Sequence, residues 1–74
     1  MTFEQFYEDI MNKSIHKPQS WRKGQFVFNY IEETYGPVAR YVQFVDHIDC
    51  FYDDSKIISF LTKCYEHLSV NNIV

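Results

Sequence analysis

The fold of this chain is constrained most by the spacing of its apolar residues, which recur every three or four positions in separate segments. The first segment has apolar residues at i, i+3, i+4, i+7 and i+8: Phe3, Phe6, Tyr7, Ile10 and Met11. This spacing places all of them on one face of a helix. Thr2 and Gln5 match a capping box at its start, so we predict a helix over residues 3–13.

Start and stop signals divide the middle of the chain into two further helices. Ser20 is a good N-cap residue, because its hydroxyl can accept a hydrogen bond from a free N–H of the first turn. It predicts a helix over residues 21–35. Gly36 suits the position after a helix end and Pro37 the first position of a new helix, which we predict over residues 37–47.

A fourth helix is predicted after the acidic segment that follows. Asp53 or Asp54 would cap it, and apolar residues then repeat at helical spacing over three turns. Residues 69–74 are expected to be a frayed end, although Val70, Ile73 and Val74 could pack back. The stripe predicted to be buried consists of Ile57, Ile58, Leu61, Cys64, Tyr65 and Leu68.

Together these segments predict an all-α fold, a compact bundle of four short helices in one domain spanning residues 1–74. Gly24 lies inside the second helix, where close approach of another backbone would explain it. An alternative remains open, because residues 26–31 and 41–45 are rich in β-forming residues and could pair as strands. The predicted core consists of Phe3, Phe6, Ile10, Trp21, Phe28, Ile31, Val38, Val42, Val45, Ile57, Leu61, Cys64 and Leu68.

Charge is distributed unevenly, although the formal net charge is only −3. Residues 13–23 contain four cations and no acid, whereas residues 46–54 contain four acids and no cation. The basic segment could contact a nucleic-acid backbone, but the net charge has the wrong sign for a protein that coats nucleic acid. The candidate nucleic-acid contacts are Lys13, Lys17, Trp21, Arg22 and Lys23.

No catalytic or metal-binding pattern is clear in the sequence. Cys50 and Cys64 each lie three residues from a histidine, but Cys64 is more than two turns inside the fourth predicted helix, which separates the two pairs. The acids of residues 46–54 lack the spacing of an EF-hand loop, and two glycines are too few for a phosphate-binding loop. We therefore predict no enzyme activity, no cofactor and no metal.

Nothing in the sequence indicates secretion or membrane insertion. Small disulfide-stapled secreted domains usually carry about four to eight cysteines, and this chain has two. Neither a signal peptide nor an apolar run of membrane-spanning length is visible. The expected location is a reducing cytosol, without membrane association.

Aromatic residues are numerous, with seven Phe, six Tyr and one Trp. A fully enclosed ring buries about 150–250 Å², and a domain of this length is not expected to enclose all of them. Some rings should therefore lie at the surface, where aromatic residues favour a protein interface. The candidates for a partner-binding surface are Phe26, Tyr30, Phe44, Phe51 and Tyr52.

Polar residues of the second helix predict a tie to the acidic segment. Gln25 and Asn29 are one helical turn apart, and Arg22 extends the same strip by a turn. We expect these side chains to bind loop carbonyl groups, while an arginine pairs with a loop aspartate. The residues assigned to this tie are Arg22, Gln25, Asn29, Arg40, Asp49 and Asp53.

Three short patterns follow one another in the middle of the chain: Trp21-Arg22-x-Gly24-Gln25-x3-Asn29, Pro37-x-Ala39-Arg40 and Asp49-x-Phe51-Tyr52-x-Asp54. In their order they resemble small uncharacterised proteins of bacteriophages and prophages. The likeness covers about residues 21–61. It implies a bacterial or phage cytosolic setting, and it transfers no activity and no residue role.

The leading hypothesis from the sequence is a small non-enzymatic protein-binding module, a phage-encoded modulator or inhibitor of a host bacterial protein. Small size, surplus aromatic residues and the phage resemblance favour it. A second hypothesis is nucleic-acid binding through residues 13–23, which predicts an affinity that falls steeply with salt. A third is a homodimeric structural protein.

Overall fold

A computed structural model describes residues 1–74 and contains four α-helices, one 3₁₀ turn and no strand. The all-α bundle predicted from the sequence is confirmed, and the alternative of two strands is wrong. None of the helices combines the length and the apolar character needed to cross a bilayer. The elements are α1 (Phe3–Ser14), α2 (Lys23–Tyr35), α3 (Val38–Phe44), the 3₁₀ turn (Asp54–Lys56) and α4 (Ile57–Val70).

The start of α1 follows the predicted capping box. The Gln5 N–H donates to Thr2 Oγ1 at 3.2 Å, and the Thr2 N–H donates to Gln5 Oε1 at 2.9 Å. α1 extends one residue further than predicted, to Ser14, whose buried hydroxyl donates to the Met11 carbonyl oxygen. Both ends of α1 are therefore closed by side chains of the local sequence.

α2 begins two residues later than predicted, and its first turn is capped by a distant part of the chain. Ser20 is not its N-cap; that position is Arg22, whose side chain makes no capping hydrogen bond. Instead, the Gly24 N–H donates to Asp54 Oδ1 at 2.9 Å. The carboxylate of the 3₁₀ turn thus satisfies one of the free N–H groups at the start of α2.

Gly24 is also the point where α2 approaches the loop after α3 most closely. A Cβ atom at this position would overlap the carbonyl oxygen of Cys50. The Cys50 thiol in turn donates to the Gly24 carbonyl oxygen, with a sulfur–oxygen distance of 3.3 Å. The predicted close approach of another backbone at Gly24 is confirmed.

α3 is shorter than the helix predicted over residues 37–47. Its last helical residue is Phe44, and the Val45 N–H still donates to the Tyr41 carbonyl oxygen at 2.8 Å. His47 then adopts a left-handed backbone with φ of 58°. A left-handed residue cannot continue a right-handed helix, so α3 cannot extend to residue 47 as predicted.

The end of the chain differs from the frayed tail expected over residues 69–74. α4 covers the first two of these residues, and Asn72 has a left-handed φ of 57°. The Asn72 N–H donates to the Ser69 carbonyl oxygen, and the Ile73 N–H donates to the Leu68 carbonyl oxygen. This pair of bonds is a Schellman motif, which folds Ile73 back over Leu68.

The buried stripe of α4 keeps four of the six predicted residues, but it includes Phe60 in place of Ile58, and Tyr65 is only half-buried. Phe60 is fully buried, whereas Ile58, predicted to be buried, is 60% exposed. The correct stripe follows i, i+3, i+4, i+7 and i+11, and position 58 lies about 100° away from its first residue. The stripe consists of Ile57, Phe60, Leu61, Cys64 and Leu68.

The core lies where all four helices meet. Val45 was predicted to be part of it but is 54% exposed, and Phe3, Trp21 and Val38 are half-buried at its edge. The buried apolar cluster consists of Phe6, Ile10, Val27, Phe28, Ile31, Ala39, Val42, Cys50, Ile57, Phe60, Leu61, Cys64 and Leu68.

Gly24→Ala tests the close contact between α2 and the loop. Alanine is the better helix former by up to about 1 kcal/mol. The added methyl group overlaps the Cys50 carbonyl oxygen, and such overpacking costs about 1–3 kcal/mol. We expect urea denaturation followed by circular dichroism to show a lower free energy of unfolding. An increase in stability would contradict the contact, and Thr34→Ala, at an exposed position of α2, is the control.

Phe60→Ala tests the position of the buried stripe in α4. Removal of a fully buried ring costs about 3–5 kcal/mol, which in a domain this small can abolish cooperative unfolding altogether. Ile58→Ala should change the free energy of unfolding by no more than about 0.5 kcal/mol. Thermal denaturation of the two variants measures the difference, and equal losses would contradict the assignment of the two faces.

Candidate functional site

The aromatic residues predicted to bind a partner do not form one surface. Phe26 and Tyr30 stack on each other along α2, with ring centroids 6.0 Å apart. Phe51 instead packs edge-on against Phe28, at 5.8 Å. Position 28 lies on the opposite side of α2 from positions 26 and 30. The two groups of rings therefore face different directions.

The remaining two candidates are the most exposed. Tyr52 is 72% exposed, and its one ring–ring contact is with the neighbouring Phe51, at a centroid distance of 4.7 Å. Phe44, at the end of α3, is 64% exposed and makes no ring–ring contact. Of the predicted set, Phe44 is the residue that belongs to a larger apolar surface.

That surface lies on α3 and at the end of α4. Large apolar side chains are exposed at nine positions in the molecule, and five of these lie on or just after α3, or at the end of α4 and in the turn that follows it: Tyr41, Phe44, Val45, Val70 and Ile73. The first three follow i, i+3 and i+4 and share one face of α3, here called the α3 row. Ala39 and Val42 face the core from the other side, so α3 is apolar on both faces.

An open groove of about 460 Å³ lies beside the α3 row, between α3 and the end of α4. Tyr41 belongs to both, which makes the row and the groove one continuous surface. Ile73 reaches the groove because the Schellman motif folds it back over Leu68. The groove, here called the α3–α4 groove, is lined by Tyr35, Pro37, Val38, Tyr41, His67, Leu68, Asn71 and Ile73.

A few polar groups are fixed along this apolar groove. His67 Nε2 lies 2.9 Å from Asp46 Oδ2, and its ring packs edge-on against Tyr41 at 4.9 Å. The Asn71 amide donates to the His67 carbonyl oxygen at 2.8 Å. Partial burial raises the pKa of the Tyr35 hydroxyl. Apolar walls with a few oriented polar groups are typical of binding sites.

The ion pairs predicted between an arginine and the loop aspartates do not form. Arg40 Nε lies 2.5 Å from Glu32 Oε2, away from the loop aspartates. Asp49 accepts hydrogen bonds from Gln43 Nε2 and from the Phe51 N–H. Such pairings within a few residues satisfy the carboxylate without a distant arginine.

Asp53 is likewise satisfied locally. The hydroxyl and the backbone N–H of Ser55 both donate to Asp53 Oδ1, and they hold the pKa of this exposed carboxyl group below its usual range. α2 does contact the loop, but through the backbone of Gly24, which hydrogen-bonds to the Asp54 carboxylate and to the Cys50 thiol. No side-chain hydrogen bond to the loop comes from Arg22, Gln25 or Asn29.

The basic segment is partly engaged in internal contacts. Lys13 pairs with Asp9 at 2.7 Å, and this hydrogen bond raises the pKa of the exposed lysine. Lys17 Nζ donates to the carbonyl oxygen of the half-buried Trp21 at 2.7 Å. Of the five candidate contacts, only Arg22 and Lys23 are exposed cations without such a partner.

The two cysteines are free, buried thiols. Burial, with a smaller effect of nearby Asp49, raises the pKa of the Cys50 thiol to about 12. Burial also raises the pKa of the Cys64 thiol, and Cys50 adds to this effect. Both remain protonated at neutral pH and offer no nucleophile. No group of three or more His, Cys, Asp or Glu residues could hold a metal ion.

Comparison with known proteins found no match: no family model, no curated protein and no solved structure matches this chain. The geometry of the site is therefore the basis for inferring what it binds. Sequence reasoning missed most of the groove, including Tyr41, His67 and Asn71. One available signal was Asn72, because asparagine after a helix end favours the left-handed turn that brings Ile73 back.

Thiol labelling tests the burial of the two cysteines. In the native protein, iodoacetamide should label Cys50 and Cys64 slowly at pH 7 and also at pH 9, because burial shields them and keeps the thiol pKa high. In urea both should react quickly, and faster as the pH rises towards the ordinary thiol pKa of about 8.5. Mass spectrometry counts the labels. Complete labelling of native protein within minutes would contradict the burial.

Proposed function

We propose that the protein is a non-enzymatic protein-binding module that holds its partner in the α3–α4 groove and against the α3 row. One observation carries this proposal. Tyr41, Phe44 and Val45 are 49%, 64% and 54% exposed, although they lie side by side on a helix whose other face is already buried.

The composition of this surface favours a protein partner. Single exposed apolar residues are ordinary, but contiguous ones with a polar edge mark interaction sites. Tyr and Phe are enriched in protein interfaces. His67, Asp46 and Asn71 supply the polar edge, and their mutual hydrogen bonds hold them in place before a partner arrives.

The resemblance to small phage proteins supports a more specific form of the proposal. In that form the chain is a phage-encoded modulator or inhibitor that acts on a host protein in the bacterial cytosol. The protonated, buried thiols support a role without covalent chemistry.

Capture of a partner from bacterial lysate, with and without nuclease, tests the proposed surface. We expect Val45→Asp to remove most of the protein that the tagged wild-type chain captures, because a charge at this position opposes apolar contact. Ile58→Asp is the matched control, since Ile58 is similarly exposed but lies away from the groove. Quantitative mass spectrometry compares the captured proteins, and circular dichroism confirms that both variants fold.

Two outcomes would overturn this assignment. Equal loss of capture in both variants, or in neither, would place the binding surface elsewhere. Recovery of nucleic acid, with proteins lost on nuclease treatment and with Arg22→Glu abolishing recovery, would favour the basic segment instead.

A further inference from the structure

We propose that the segment held in the α3–α4 groove is basic and amphipathic, with apolar side chains that enter the groove and lysine or arginine residues beside them. This inference rests on the proposed function and specifies the chemistry of its partner. It is carried by the charges around the groove, by the direction of the helices that end there, and by the charge pattern of α2.

Acids outnumber free cations around the groove. Each of α3 and α4 contains one Lys or Arg, and both are already paired. Arg40 lies 2.5 Å from Glu32, and Lys63 lies 3.1 Å from Glu66. Two further acids at this end of the molecule lack a Lys or Arg partner: Asp46, which contacts His67 of the groove, and Glu33, in the last turn of α2.

Asp46 places a negative charge at the edge of the groove. Its carboxylate contacts His67, which lines the groove, and the Asp46 side chain is 22% exposed. No lysine or arginine lies between residues 41 and 55. A cation that approached the edge of the groove would therefore meet an acid and no competing positive side chain.

The ends of two helices add to the negative potential. α2 ends at Tyr35 and α4 ends just before Asn71, and both of these residues line the groove. The carboxyl end of a helix carries a partial negative charge of about half an electron, because its last carbonyl groups lack helical partners.

The charges of α2 oppose its own helix dipole. Lys23 lies in the first turn and Glu32 and Glu33 lie in the last, whereas a helix alone prefers the reverse order. At the start of α2, Asp54 supplies the missing negative charge and accepts a hydrogen bond from the Gly24 N–H. At the other end, Arg40 of α3 pairs with Glu32, and Glu33 has no such partner. A local rule broken in this way is typical of a functional surface, and here it makes the groove end of the molecule negative.

The same charges argue against a second copy of this chain as the occupant. A two-fold symmetric dimer places the same patch of both copies face to face. Both patches would then carry the same excess of acids, and like charges at an interface are unfavourable. A basic segment of another protein avoids this repulsion.

Two synthetic peptides test the inference. One is an amphipathic peptide of about 14 residues, or roughly four helical turns, built from Leu, Ala and Lys. The other has Glu at every Lys position. Titration into the ¹⁵N-labelled full chain should shift the amide signals of Tyr41, His67 and Ile73 with the Lys peptide. We expect at least about tenfold tighter binding of the Lys peptide at low salt, and a smaller ratio at high salt.

Variants connect this preference to the named acids. The double variant Glu33→Gln, Asp46→Asn should bind the Lys peptide about threefold or more weakly than the wild-type chain does. Its affinity for the Glu peptide should not fall. The double variant Glu4→Gln, Glu8→Gln is the control, because it removes the same charge from exposed positions of α1.

Equal binding of the two peptides at the groove would overturn the inference and leave the proposed function standing, since apolar contact alone would then suffice. Signals that move in other regions, or in none, would overturn it as well. Groove signals that shift with protein concentration in the absence of peptide would identify a second copy as the occupant. The Val45→Asp capture experiment judges the proposed function separately in every case.

Discussion

The contact between Gly24 and Cys50 is the interaction on which the rest of the arrangement depends. It holds the loop after α3 against the start of α2, where the Asp54 cap is added. α4 therefore begins beside the start of α2. The two helices have 13 and 14 residues, or about 20 Å each, so both end near the same place. The α3–α4 groove forms there because α3 begins where α2 ends.

Local signals in the sequence predicted the helices well, whereas contacts between distant residues could not be read from it. The Thr2 capping box and the Gly36-Pro37 break act within a few residues, and both behave as their chemistry requires. The cap of α2 comes from Asp54, which lies 30 positions after Gly24. No pattern around Ser20 indicates that a distant carboxylate replaces it.

The sequence predicted that an exposed aromatic surface exists, but not where it lies. The number of aromatic residues indicated that some must be exposed, but α3 has apolar residues on both faces, and spacing alone does not decide which face turns inward. The structure buries Ala39 and Val42, whose small side chains allow α3 to lie close to its neighbours. Tyr41 and Val45 are left outside as a consequence, although their spacing also fitted a core.

The exposed α3 row and the acids in the last turn of α2 lie at the same end of the molecule, and each opposes the stability of the isolated chain. A domain of 74 residues has little stability to lose. A partner that binds only the folded state offsets such losses by mass action. An apolar and basic segment would cover Tyr41 and Val45 and also neutralise Glu33 and Asp46. A single partner of this chemistry would therefore offset both unfavourable features.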